Sequence, residues 1–129
     1  MPYGKVTIAI GQKEGDPVKK VMLLGSKDLC DSLRFAMDDN YIVLPCYDPS
    51  AGAEILQMHP DILILSLSLP GADGLAFLKG HAELLPPNVL ILTPYLDSRI
   101  LAELARLGVT AVVRMPVALS SLLQKLEAL

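Results

Sequence analysis

The stretch Pro60-Asp61-Ile62-Leu63-Ile64-Leu65-Ser66-Leu67-Ser68-Leu69-Pro70-Gly71-Ala72-Asp73-Gly74-Leu75 holds the unbroken apolar run Ile62–Leu65 between two prolines. Continuous rather than alternating hydrophobicity over Ile62–Leu65 predicts a strand covered on both faces. The run Ile62–Leu69 is strand-sized and far short of the ~18 apolar residues of a membrane span. Beyond it, Leu75, Leu78 and Ala82 repeat at helical spacing until Pro86-Pro87 stops the pattern.

The same alternation extends in both directions. Val21–Leu24, Tyr41–Leu44, Val89–Leu92 and the shorter Ala111–Val113 read as further strands. Between them, Leu29, Leu33, Phe35, Ala36 and Met37 fit one helix, with Ser26 as its N-cap. Ala51, Ile55, Leu56 and Met58 fit another, after the turn residues Asp48-Pro49-Ser50. Ile100, Leu101, Leu104 and Leu107 fit a third, capped by Asp97 or Ser98 and ended by Gly108. Leu119, Leu122, Leu123 and Leu126 make the last. Strand alternating with helix five times through short connections predicts a parallel, doubly wound α/β sheet with its functional crevice beyond the carboxyl ends of the strands. Residues 1–18 stand outside this rhythm as an N-terminal extension. There Val6, Ile8 and Ile10 alternate with Lys5, Thr7 and Ala9, and both an added strand and a partly ordered tail remain open.

Composition narrows the function classes. At 129 residues the chain suits one domain. Its 52% hydrophobic content excludes disorder. Cys30 and Cys46 sit in apolar surroundings without metal-ligand spacing and read as buried free thiols. A net charge of -3 and a pI near 5.2 argue against a nucleic-acid surface on this segment. Met1–Lys5 lacks the charged and apolar regions of a signal peptide, so a cytoplasmic location is expected.

Over residues 19–129 the chain resembles a response-regulator receiver domain, a flavodoxin-like (βα)5 fold with strand order 2-1-3-4-5. The resemblance rests on the central stretch, where a buried strand ends at Ser66, a proline follows four residues later and Asp73-Gly74 opens the next helix. It rests also on Pro87-Asn88-Val89-Leu90-Ile91-Leu92-Thr93, similar to the fourth strand with its switch Thr, and on Gly108 through Pro116, similar to the fifth strand and its Lys-Pro loop. Asp73-Gly74-Leu75-Ala76 and Pro87-Asn88-Val89 are similar to the receiver half of sporulation master regulators.

The resemblance implies a phosphoryl-accepting aspartate, an acidic pair that holds Mg²⁺ and a lysine that pairs with the phosphoryl oxygens. A hard divalent ion needs oxygen ligands, and the transferred group needs cations. This chain has Gly25 and Ser26 at the acidic pair, Ser66 at the acceptor and Met115 at the lysine. Every charged member is absent, so aspartyl phosphorylation is not expected, and neither a metal nor a cofactor is expected. Thr93 matches the switch Thr, but Val112 occupies the position of its aromatic partner, and Pro94 stiffens the backbone beside it. The domain is expected to hold one conformation.

Other residues carry plainer expectations. Asp28 is the nearest carboxylate to the lost pair and fits a first-turn helix role. Asp73 is expected to cap a helix. His59 and His81 fall too far from Ser66 to activate it, because a base must lie within ~3 Å of its nucleophile. The face of the fourth helix, fifth strand and fifth helix carries Ala102, Arg106, Ala111, Ala118 and Gln124, and the resemblance implies contact there with a protein partner or a second copy. The expected function is a phosphorylation-independent pseudo-receiver acting as an interaction module of a two-component or sporulation-type transcription regulator. A small-molecule sensor with a neutral pocket at Gly25, Ser26, Ser66 and Met115 is the alternative, and a small enzyme using Ser66 with Thr93 a remote one. Neither membrane nor nucleic-acid contact is expected of this segment, although a DNA-binding domain outside it is compatible with the resemblance.

Overall fold

A computed structural model describes residues 18–37, 41–69 and 72–129. The strands are β1 (Lys19–Leu24), β2 (Tyr41–Cys46), β3 (Ile62–Ser66), β4 (Ser68–Leu69), β5 (Ala72–Asp73), β6 (Asn88–Thr93) and β7 (Ala111–Arg114). The helices are α1 (Lys27–Met37), α2 (Gly52–Leu56), α3 (Gly74–Gly80), α4 (Ser98–Arg106) and α5 (Leu119–Glu127). Five strands pair in parallel in the order β2-β1-β3-β6-β7, which is 2-1-3-4-5 when the main-sheet strands are counted alone. The added strand considered at Val6–Ile10 lies outside the described residues.

Alternate side chains of each strand enter opposite faces, so an all-apolar strand feeds two cores. Val21 and Leu23 join Ile62, Ile64, Leu90 and Leu92 beneath Cys30, Leu33 and Met37 of α1 and Leu122 and Leu126 of α5. Met22 and Leu24 join Leu63, Leu65, Val89 and Ile91 against Leu56 of α2, Phe77 and Leu78 of α3 and Leu104 of α4. Each fully buried large side chain contributes about 1.5–3 kcal/mol, and β1 alone buries four at Val21–Leu24.

Local chemistry sets the element ends. The Oγ of Ser26 accepts from the Leu29 N–H at 3.2 Å, the capping bond expected for α1. Of the two cap residues considered for α4, Asp97 serves: its Oδ1 accepts from Ile100 N–H at 2.9 Å. Gly108 (φ 84) ends that helix, with its own N–H donating to Ala105 O and the Val109 N–H to Leu104 O. That bond pair is the Schellman arrangement, which requires a left-handed residue.

Three expectations are corrected. Phe35 is 88% exposed instead of on the buried stripe of α1, because Leu33 and Met37 already fill that contact. Met58 lies beyond α2, which stops at Leu56, and is half exposed. Ala82 belongs to a separate 3₁₀ turn, Ala82–Leu84, after α3 ends at Gly80. Between β3 and α3 the chain also forms a two-stranded antiparallel hairpin, β4 with β5, which the sequence reading did not include.

Candidate functional site

The carboxyl ends of β1, β3, β6 and β7 meet on one edge of the sheet. Backbone bonds carry the ladder one residue past the strands: Gly25 N–H to Cys46 O at 3.3 Å, Leu67 N–H to Leu92 O at 3.1 Å and Met115 N–H to Thr93 O at 2.8 Å. These place Gly25, Ser66, Thr93 and Met115 around a common rim. The Met115-Pro116 bond is cis.

Gly25 and Ser66 are direct neighbours. A Cβ built on Gly25 would lie 3.5 Å from the Ser66 Cβ and 3.0 Å from Cδ2 of Leu29. Leu29, on the first turn of α1, therefore lies over the position where the resemblance places a carboxylate. It packs, as Met115 does, against the core shared by α1 and α5. The rim that would hold a cation and an oxyanion is thus bordered by two apolar side chains. Sequence reasoning missed Leu29; the signal was its placement four residues before the buried Leu33, directly after the small Gly25-Ser26 pair.

The polar members are occupied within their own loops. Ser66 Oγ donates to Ser68 O at 3.3 Å. Ser26 is exposed and spends its hydroxyl on the α1 cap. Thr93 is buried, donating to Tyr95 O at 3.1 Å and accepting from Tyr95 N–H at 3.2 Å. Val112 pairs with Ile91 in register and packs on the α2–α3–α4 side, with no ring for a coupled movement.

Nearby charges are also committed. Lys27 Nζ meets Asp31 Oδ2 at 2.9 Å, and Tyr47 OH donates to the other carboxylate oxygen at 3.1 Å. The hydrogen bond from Lys27 holds the Asp31 carboxyl below its usual range. Asp28 is exposed, and Asp73 Oδ1 accepts from Leu75 N–H at 3.0 Å as the α3 cap. Among the described residues, no three His, Cys, Asp or Glu side chains converge to hold a metal.

Neither histidine reaches the rim. His59 is exposed just before β3, and His81 follows α3, its Nδ1 2.8 Å from Phe77 O and its ring stacked on Phe77 at 4.2 Å. Two cavities, of about 310 and 420 Å³, are lined by Leu75, Asp97, Arg99, Ile100 and Glu103 and by the 79–84 segment. None of the rim residues lines either one. Of the surface residues singled out, Ala102, Arg106, Ala118 and Gln124 are exposed, whereas Ala111 is half-buried and packs against the α1–α5 core.

Gly74 explains the Asp-Gly pair. A Cβ there would come within 2.7 Å of Leu67 Cα and 2.9 Å of Ser66 O, so α3 abuts the backbone that follows β3. No helix among the described residues is long and apolar enough to cross a membrane.

No family model matches the chain. Over 62 residues, 44% of this chain, it is 44% identical to a nitrate/nitrite response regulator protein homolog of Haemophilus influenzae, and the match spans 29% of that protein. Among solved structures, it is similar to the chemotaxis protein CheY4 of Vibrio cholerae at 22% identity and TM-score 0.76, covering 87% of this chain and 98% of that one. A CheY-like receiver domain from Methanospirillum hungatei gives 18% identity and TM-score 0.77, covering 87% and 93%. The HemR receiver domain of Leptospira biflexa gives 20% and 0.76, covering 85% and 92%. Strand order, parallel register and these likenesses agree that the chain has the CheY-like fold of response-regulator receiver domains.

Proposed function

We propose that this domain is a pseudo-receiver, a regulatory interaction module that works without aspartyl phosphorylation. One observation carries the reading: Ser66, at the acceptor position, turns its hydroxyl to Ser68 O while Leu29 lies over Gly25, leaving that rim without a carboxylate. A serine hydroxyl needs a base or a metal to become a nucleophile, and the same geometry speaks against the enzyme reading. Incubation with acetyl phosphate and Mg²⁺, followed by intact-mass measurement, tests the proposal. An unmodified mass is expected; an acid-labile phosphoryl adduct overturns it.

The output is a protein contact through α4, β7 and α5. Arg106, Ala102, Ala118 and Gln124 are exposed there beside Leu101 and Leu119, each about two-fifths exposed. The local identity to a nitrate/nitrite response regulator homolog supports placing the domain in a two-component response regulator, and its role in transcription and its place in the cytoplasm rest on the sequence resemblance. The sporulation-type assignment rests on the sequence phrases at Asp73 and Pro87. Sedimentation with and without Arg106→Glu reads the contact: loss of a dimer or of a captured partner is expected, and an unaltered profile counts against this face.

A further inference from the structure

A cleft separate from the rim lies between α3 and α4, and we infer that it binds a small organic acid, a carboxylate carried on an aliphatic or aromatic body. The cleft measures about 310 Å³ and is lined by Leu75 of α3, by the α4 cap Asp97 and by Arg99, Ile100 and Glu103 of α4. Ligand pockets run from roughly 300 to 1,000 Å³, so this one suits a small occupant.

The topology explains why these residues meet. Strands β3 and β6 are neighbours in the sheet, and α3 and α4 follow them. Both helices therefore begin at the carboxyl edge, and their first turns lie side by side. Asp73 caps one and Asp97 the other, which sets Leu75 and Ile100 across the cleft from each other. Both are half-buried and pack on the core shared by α2, α3 and α4, giving the cleft an apolar floor.

The charges around that floor select the sign of the ligand. Both lining carboxylates are engaged: Asp97 Oδ1 accepts from Ile100 N–H at 2.9 Å, and Glu103 Oε2 meets Lys79 Nζ at 2.7 Å. Arg99 precedes Glu103 by four residues, a spacing at which opposite charges on a helix commonly pair, yet Glu103 reaches across to α3 instead. Arg99 is exposed, and no ion pair among the described residues includes it. Its guanidinium presents a planar fork of donors that matches a carboxylate. An organic cation would meet repulsion there. An inorganic anion would use Arg99 but leave the apolar floor empty, and a neutral apolar molecule would do the reverse.

An occupant that touches Leu75 and Ile100 links two segments bordering the rim. Gly74, beside Leu75, abuts the Ser66–Leu67 backbone. Pro94–Asp97 joins α4 to Thr93, whose hydroxyl is bonded to the Tyr95 backbone in the same loop. The cleft is thus an input to the rim that requires no phosphoryl group. The second cavity is a poorer candidate, because the single segment 79–84 lines it and no second element closes over it.

Titration of the full chain with sodium phenylacetate and with sodium hexanoate, followed through backbone amide resonances, tests this. Saturating shifts at Leu75, Arg99, Ile100 and Glu103 are expected in the millimolar range with at least one of the two acids. Phenethyl alcohol, which has the ring without the charge, and inorganic phosphate, which has charge without the ring, are expected to give no saturation there. Arg99→Gln alters an exposed side chain, so Tm is expected to hold while affinity falls about tenfold or more; Arg99→Lys, which keeps the charge, is expected to lose less. The inference is overturned if neither acid saturates these amides, or if the saturating shifts fall outside the cleft. It is overturned equally if phenethyl alcohol or phosphate binds there as well as the acids do, or if Arg99→Gln leaves the affinity unchanged.

Discussion

Cδ2 of Leu29 lies 3.0 Å from the point where a side chain at Gly25 would begin. Glycine at the end of β1 and leucine one turn into α1 are therefore a matched pair, the small residue making room for the large one. Together with Met115 across the rim, Leu29 extends the α1–α5 core to the edge where the resemblance places charged residues.

Gly74 and Gly80 should respond in opposite ways to alanine. The new methyl at Gly74 meets backbone at 2.7 Å, which cannot swing aside, whereas nothing lies within 4 Å of Gly80. Denaturant unfolding should show Gly74→Ala losing about 1–3 kcal/mol. Gly80→Ala should be neutral or gain up to about 1 kcal/mol by restricting the unfolded chain. Equal effects would contradict the close approach of α3 to the Ser66–Leu67 backbone.

Thr93→Val removes the oxygen that both donates to Tyr95 O and accepts from Tyr95 N–H. The shape is kept, so the expected loss is about 1 kcal/mol of stability. The Tyr95 amide should exchange faster. A change of conformation across the whole sheet would show that Thr93 still acts as a switch.

The main sheet could be read in the sequence because Val21–Leu24, Ile62–Leu65 and Val89–Leu92 are apolar at every position, a pattern that only two-sided burial rewards. Caps were readable for a similar reason: Ser26, Asp73 and Asp97 each bond their own helix within three residues, so the information is local. The β4–β5 hairpin was not readable, since two-residue strands carry no period. Phe35 misled because aromatic content says nothing about which side of α1 meets the sheet. The assignment of Gly25, Ser26, Ser66 and Met115 to their positions came from the resemblance and their place in the sequence, but the Leu29 overlay depends on a rotamer and on packing between elements.

Both thiols should be sluggish. Burial pushes the Cys30 and Cys46 thiols up, keeping them protonated at neutral pH. Labelling with a thiol-specific reagent should be slow in the native protein and fast after denaturation for both. Rapid native labelling of either would show that its side of the sheet opens readily.

The α3–α4 ion pair should impart a small acid sensitivity. Lys79 Nζ lies 2.7 Å from Glu103 Oε2 and holds that carboxyl below its usual range. A lowered folded value means that the contribution is present above the unfolded carboxylate range and disappears as pH falls through the folded value. Glu103→Gln should therefore lower Tm slightly at neutral pH and not at all in strong acid, with the difference shrinking in high salt. A Tm gap that widened toward acid pH would reverse the assignment.

A magnesium titration followed through the backbone amides of Gly25, Ser66 and Met115 tests most directly whether the rim has lost its ion. Hard divalent cations require several oxygen ligands, so no saturable change is expected at any of the three amides up to millimolar Mg²⁺. Saturating shifts confined to those residues would mean that the rim still binds the cation, and the pseudo-receiver account would fail.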